Sequence, residues 1–278
     1  MTYAPSYPLT DRALAQRLER TEGSANAAFV EARAARTPSS GATWIDVGGT
    51  YAMFDGVDSP ITQTFGLGVF TNPTDAQLDE LEAFFDARGA ATHHETCPLA
   101  DAALLALLPA RGYRPIEQST VLHRPPSLPD DAQRPASPDV HVRRTTPDEA
   151  ALWAATSAGG WSMEHPELGA MVEALGLVSA SSRGTTCFVA ECEGVPIATG
   201  AIAIHGGVGL LAGASTLPAW RRRGAQSALL AARLAFAAAE GCDLAMMAAA
   251  PGSSSQCNAE RQGFRIAYTR TKWMRPPI

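Results

Sequence analysis

The run from Arg124 to Asp139 holds five prolines, Pro125, Pro126, Pro129, Pro135 and Pro138, among Asp and Ser residues. Proline cannot donate to a β ladder and blocks a helix interior, so neither a central strand nor a continuous helix passes through this run. It reads as a linker, and it divides the 278-residue chain nearly in half. Each half is long enough for an ordinary domain. The expected organisation is a domain at 1–124, a linker at 125–139 and a second domain at 140–278.

The two halves share a pattern. Gly112-Tyr113 and Arg124 recur as Gly263-Phe264 and Arg275, at the same spacing. Upstream, Phe70-Thr71-Asn72-Pro73 precedes a helical stretch ending at Gly89, and Ser215-Thr216-Leu217-Pro218 precedes one ending at Gly241. Two matches in the same order, at a strand-to-helix turn and a helix-to-strand turn, point to an internal duplication. The interval from Pro73 to Gly89 is seven residues shorter than that from Pro218 to Gly241. The first half lacks a piece that the second half has.

In the second half, Val140 to Arg144 reads as a strand and Pro147 to Ala158 as a helix, with Thr146 as cap and Pro147 in its first turn. A Gly-rich loop from Gly159 to His165 and a second short helical stretch are expected next. Thr186–Cys192, Ile197–Ile204 and Val208–Ser215 are apolar runs separated by Glu193-Gly194 and Gly206-Gly207, the signature of an antiparallel meander. Gln226 to Glu240 is helical and apolar nearly all round, with Arg233 as a lone mid-helix charge, so cover on more than one side is expected. A strand at Asp243–Ala248, a helix around Asn258 and a strand from Phe264 complete the half.

Composition excludes several roles. Hydrophobic residues make up 46% of the chain, enough for real cores. The 22 Lys and Arg against 28 Asp and Glu give a net charge of −6, which supplies no general attraction for nucleic acid or an anionic membrane and mildly favours cationic partners. Five scattered cysteines, Cys97, Cys187, Cys192, Cys242 and Cys257, show no Cys-x-x-Cys spacing, so neither a disulfide framework nor a zinc knuckle is expected. The N-terminal stretch lacks the pattern of a secretory signal, and no apolar run approaches a membrane span. A cytoplasmic protein, monomeric or homodimeric, is the expectation.

The piece missing from the first half carries the chemistry. Ala219-Trp220-Arg221-Arg222-Arg223-Gly224-Ala225-Gln226 lies between a strand and a helix, so its backbone N–H groups converge at the positive end of that helix. Gly224 permits close backbone approach, and the arginines add charge. Arginines at a helix start oppose the helix dipole, and an anion would compensate them. No Gly-Lys-Ser/Thr follows, so this is not a P-loop. The implied ligand carries a pyrophosphate that is held and not transferred.

The order strand, Pro218, then Arg221-x-x-Gly224-x-Gln226 opening a helix resembles the acetyl-CoA signature of the GCN5-related N-acetyltransferases (GNAT). The run Ser255-Gln256-Cys257-Asn258-Ala259-Glu260-Arg261-Gln262-Gly263-Phe264 resembles the Asn…Gly-Phe helix and strand that flank the coenzyme in that family. The resemblance covers residues from about 140 to 278. It implies an α/β fold of the α+β type: two tandem GNAT-like domains, each a mixed, mainly antiparallel sheet flanked by helices, of which only the second keeps the coenzyme cradle. It also implies direct attack of an amine on acetyl-CoA as co-substrate, with no metal. Arg221, Arg222, Arg223, Gly224, Ala225, Gln226 and Ser227 would surround the pyrophosphate. Thr216 and Leu217 would offer backbone groups to the pantetheine arm and thioester, and Asn258 would bond the arm from the other side. Gln226 stands where the family has a small residue. Ala259 stands where many members have a Tyr proposed as general acid.

Amine attack needs a deprotonated amine, a polarised carbonyl and a proton for the leaving thiolate. Glu164 and His165, in a loop resembling the family's substrate-facing loop, are the first candidates for the base, or else a helix-start acid and a solvated His. Tyr268 on the last strand is a candidate for the acid, or a packing residue. Glu191 is either an acceptor contact or a turn-flanking surface acid, and Trp161 lies in the substrate-facing loop. Adjacent residues of a strand point to opposite faces, so His93-His94-Glu95 is not expected to hold a metal. The first half would wall the acceptor pocket, with Asp46, Asp55, Asp58 and Glu95 as acidic contacts for a cationic small-molecule amine. The layout is similar to that of kasugamycin-type aminoglycoside N-acetyltransferases. Acetylation of another metabolite amine or a protein N-terminus, and non-catalytic acetyl-CoA sensing, stay open as alternatives.

Overall fold

The computed structural model describes residues 7–127, 139–161 and 168–277. Its contacts divide the chain into two compact units: Pro8–His123 with Met246–Ile278, and Met1–Tyr7 with Arg124–Ala245. This division cuts across the expected halves, because residues 246–278 pack with the N-terminal half. Most of the expected linker at 125–139 lies outside the described residues. No described helix is long and apolar enough to cross a membrane.

In the unit built on Arg124–Ala245, β6 (His141–Arg144), β7 (Thr185–Cys192), β8 (Val195–His205) and β9 (Val208–Thr216) pair antiparallel in sequence order. Both meander turns take positive φ at their two central residues, Glu193 (51°) and Gly194 (76°), then Gly206 (55°) and Gly207 (76°). That is the geometry matching the right-handed twist of paired strands. Helix α4 (Ala150–Trp161) follows a 3-10 turn at Pro147–Glu149, and Glu149 accepts the Thr146 N–H at 2.8 Å. Helices α5 (Gly169–Ser179) and α6 (Ala225–Ala239) complete the unit. Phe188, Ile197, Ile202, Leu229 and Ala237 form its main core.

Two expectations are corrected here. Gly159, Gly160 and Trp161 are the last turn of α4 and not loop, because the glycines let the helix end approach β9. A Cβ on Gly160 would lie 1.9 Å from Ser215 Oγ and 3.1 Å from the Thr216 backbone, and one on Gly159 would lie 2.7 Å from Leu217 Cδ2. Helix α6 is covered on one side only within this unit: Leu229, Arg233, Leu234 and Ala237 are buried, while Ser227, Ala231, Ala235 and Ala238 are exposed. Alanine is apolar in a periodicity plot yet too small to demand cover.

In the other unit, α1 (Arg12–Arg36) is capped by Asp11, which accepts the Leu14 N–H at 2.8 Å. It is followed by β1 (Thr43–Val47), β2 (Thr50–Phe54), β3 (Gln63–Phe65), α2 (Asp75–Asp86), β4 (Thr92–Thr96), α3 (Leu104–Ala110) and β5 (Arg114–Arg124). From the far end of the chain come α7 (Ser254–Arg261) and β11 (Arg265–Arg275), after β10 (Leu244–Ala249), which spans the division. The succession β1, β2, β3, α2, β4, α3, β5 repeats as β7, β8, β9, α6, β10, α7, β11, in line with an internal duplication. Strand β11 pairs antiparallel with both β4 and β5, so the sheet runs β1-β2-β3-β4-β11-β5, with β3–β4 its parallel pair.

Charge explains why β11 belongs there. Arg270, 1% exposed, donates from Nε to Glu19 Oε1 at 2.8 Å and from Nη1 to Glu22 Oε2 at 2.6 Å. Lys272 pairs with Glu95 and Arg275 with Asp86. These counter-ions of the last strand all lie in the N-terminal half of the chain.

Candidate functional site

Strand β9 ends at Thr216, and the chain passes through a 3-10 turn at Pro218–Trp220 to Gly224, which caps α6 with φ of 84°. Gly224 has no side chain with which to cap this helix, and no acidic residue stands in its first turn. Its first N–H groups therefore have no intrahelical partner and form the positive end of the dipole. Such an end accepts phosphate readily.

The three arginines before it differ in their work. Arg221 donates from Nη2 to the Gly160 carbonyl at 3.0 Å, and so ties the end of α4 to this loop. Arg222 has φ of 63°, a costly conformation for a residue with a Cβ, and is exposed. Arg223 is also exposed and lies over the Trp220 ring, with Cζ 4.8 Å from its centroid. Ala225 is buried and anchors the first turn, and Ser227 is exposed on it. Gln226 donates to the Ser215 carbonyl and to Thr216 Oγ1, both at 2.8 Å. At Leu217 the N–H donates to the Ile197 carbonyl at 2.9 Å and the carbonyl accepts the Trp220 N–H at 2.8 Å.

Behind the cradle, β9 bulges. Thr199 faces Ser215 and Ala201 faces Ala212, so Gly200 on β8 opposes two residues, Gly213 and Ala214. Gly213 takes φ of 61°, as the first residue of such a bulge requires. Its Cβ would lie 2.9 Å from the Trp153 ring, and Trp153 is fixed by donating to the Phe188 carbonyl at 3.0 Å.

Other expected site residues are placed as follows. Glu164 and His165 lie outside the described residues. Tyr268 is buried in the β11 unit and donates its hydroxyl to Glu19 Oε1 at 2.8 Å; burial and the Glu19 charge raise its pKa well above 10. A phenol so held keeps its proton and stabilises a carboxylate. Asn258, on α7, accepts from Arg261 at 3.1 Å, and Ala259 beside it is buried. Of the residues expected to meet a cation, Asp55 is bonded by Arg33 and Ser59, Glu95 by Lys272 and Ser119, and Glu191 by Arg143. Their charges are already compensated. Asp46 is exposed and accepts the Gly49 N–H, and Asp58 and Trp161 are exposed. His94 is fully buried between Thr64 and Tyr113. Arg233, under the bulge, was visible in the sequence only as a lone charge in an apolar helix.

Residues 150–264 match the model of the acetyltransferase (GNAT) family. This span contains the loop from Pro218 to Gly224 and helix α6. No curated protein sequence matches the chain. Among solved structures, a GCN5-related N-acetyltransferase from Kribbella flavida is 19% identical, with a TM-score of 0.64 over 91% of this chain and 96% of that one. A functionally unknown conserved protein from Staphylococcus epidermidis is 11% identical, with a TM-score of 0.59 over 86% and 96%. A tandem GNAT protein from the clavulanic acid biosynthesis pathway is 14% identical, with a TM-score of 0.58 over 81% and 78%. The likeness to all three is one of fold.

Proposed function

We propose that the chain transfers the acetyl group of acetyl-CoA to a small cationic amine of the aminoglycoside kind, kasugamycin-like, by direct attack of the amine in a ternary complex, and that this modification gives antibiotic resistance. The observation that carries the transferase reading is the start of α6: a helix N-terminus with no acidic residue in its first turn, opened by Gly224 and preceded by the exposed Arg221, Arg222 and Arg223. That combination suits a pyrophosphate. When bound, acetyl-CoA supplies an activated acyl thioester. The α6 N–H groups with Arg222 and Arg223 would hold its diphosphate, Gln226 and Arg221 fix the cradle to β9 and α4, and Thr216 would border the arm.

The acceptor amine, ordinarily protonated near neutral pH, needs a base. Glu164 and His165 keep that role by their place after α4, and Glu164→Gln is expected to lower turnover more at neutral than at alkaline pH. The net charge of −6 supports a cationic acceptor. Free-thiol release from acetyl-CoA with a panel of amines, kasugamycin and other aminoglycosides among them, tests the reading. Release with an aminoglycoside supports it, and release only with other amines moves the acceptor elsewhere.

A second reading, a non-catalytic acetyl-CoA sensor, is favoured by one observation. Ala259 occupies the place of the family's acid, and Tyr268 is tied to Glu19. Coenzyme binding by calorimetry without thiol release across the panel would select it.

A further inference from the structure

The bulge of β9 rests on a buried cation that has no counter-ion among the described residues. Arg233 of α6 is 3% exposed. Its Nη1 donates to the Ala201 and Ala212 carbonyls, each at 3.2 Å, and its Nε to the Leu229 carbonyl at 3.1 Å. Among the described residues no carboxylate lies within ion-pairing distance of it. Ala201 and Ala212 are the last pair in register before the bulge, so one guanidinium bridges both strands where their pairing breaks. Gly200, opposite the bulge, makes room for it: a Cβ there would lie 2.8 Å from Arg233 Cζ. Trp153 packs on Gly213 and Ala201 while Arg233 packs on Gly200. Adjacent residues of a strand face opposite ways, so the bulge is clamped from both faces.

A buried unpaired charge is costly, and an apolar side chain of similar volume is often the more stable occupant of such a place. Packing therefore does not account for Arg233. Its two carbonyl bonds sit at a bulge that begins three residues before Thr216, where the strand meets the cradle. Moreover, the Ala212 carbonyl and the Gly213 N–H belong to one peptide unit, and a cation on the carbonyl polarises the whole unit.

We propose that Arg233 is a positioning residue for acyl transfer, which fixes the β9 bulge and thereby the backbone that lies along the acyl end of the coenzyme. This rests on the acetyltransferase reading above. Arg233 touches no reacting atom and acts through residues 212–216.

The test compares wild type, Arg233→Met, which keeps volume and removes the donors, and Arg233→Lys, which keeps the charge. Hydrogen exchange of the 208–217 segment, acetyl-CoA affinity by calorimetry, and kcat and KM from thiol release are measured on the full chain. Arg233→Met is expected to stay folded, to exchange about tenfold faster over 208–217, and to lose about ten- to a hundredfold in kcat, as small misplacements of reacting groups do. Its acetyl-CoA affinity should change by less than about threefold, the mark of an effect on the transition state and not on uniform binding. Arg233→Lys is expected to restore part of kcat and part of the protection. Wild-type exchange or wild-type kcat in Arg233→Met overturns the proposal, as does a fall in kcat that follows unfolding alone. A wild type that binds no acetyl-CoA overturns the acetyltransferase reading together with the positioning role. That result is distinguishable, because it appears before any substitution is made.

Discussion

The side-chain amide of Gln226 reaches back across the cradle to the Thr216 hydroxyl at 2.8 Å, and at the same distance to the Ser215 carbonyl. Gln226 thereby sets how α6 leaves β9. Gln226→Ala removes both bonds, and we expect a loss of about 1–2 kcal/mol in stability and a several-fold weaker affinity for acetyl-CoA. Chemical denaturation and calorimetry check the two effects. Unchanged affinity would show that the helix start holds its place without the amide.

Gly224 combines a positive φ with a position at the head of the positive helix end. Gly224→Asp adds a Cβ in a strained conformation and a negative charge at the phosphate site proposed above, so acetyl-CoA binding should disappear in calorimetry. Gly224→Ala carries the strain without the charge and should retain weakened binding. Full binding by the Asp variant would remove the cradle from the site.

The end of α4 touches β9 through Gly160. Gly160→Ala places a Cβ against Ser215 Oγ, which itself donates to the Ser157 carbonyl at 2.8 Å, and overpacking of this kind costs about 1–3 kcal/mol. Adding Ser215→Ala removes the nearest clashing atom. The double variant should recover part of the loss in urea unfolding, and strict additivity would argue that the clash is relieved elsewhere.

Tyr268 and Glu19 form a buried pair with Arg270. Glu19→Ala removes the fully buried one of the two carboxylates that Arg270 meets, leaving Glu22, and should cost about 3–5 kcal/mol. Tyr268→Phe should cost only about 1 kcal/mol and leave the pH profile of kcat unchanged, because the buried phenol holds its proton. A shifted alkaline limb in Tyr268→Phe would return this residue to the list of proton donors.

The buried imidazole of His94 links stability to acid. Burial lowers its pKa from the ordinary 6.5 to about 3, so the unfolded chain takes up the proton that the fold refuses. The stability it supports is complete above about pH 6.5 and drains as pH falls toward about 3, with a slope of at most about 1.4 kcal/mol per pH unit. Urea midpoints from pH 7 to 4 should fall less steeply in His94→Phe than in the wild type. Equal slopes would assign acid sensitivity to other groups.

The meander, the cradle loop and α6 were legible because each has a local cause: paired positive-φ turns, a glycine at a helix cap, arginines where a helix start disfavours them. What escaped the sequence depends on partners far along the chain. Gly159 and Gly160 look like a flexible loop until β9 is seen to pass against them. Asp55, Glu95 and Glu191 look like free acids until Arg33, Lys272 and Arg143 are placed beside them. Arg233 stood out by pattern, yet the two carbonyls that explain it belong to strands more than twenty residues upstream.

The seating of β11 between β4 and β5 bears on how the polypeptide is made. As the first half leaves the ribosome, the neighbour that both of those strands need has not been synthesised. Their facing backbone groups stay unpaired, and Glu19 waits for its arginine, until nearly the whole message is read. Such long-range closure folds slowly and leaves unpaired strand edges open to association. A chain cut short in the proline-rich run would carry that open edge permanently, and for this protein the last strand is what completes the first half's sheet.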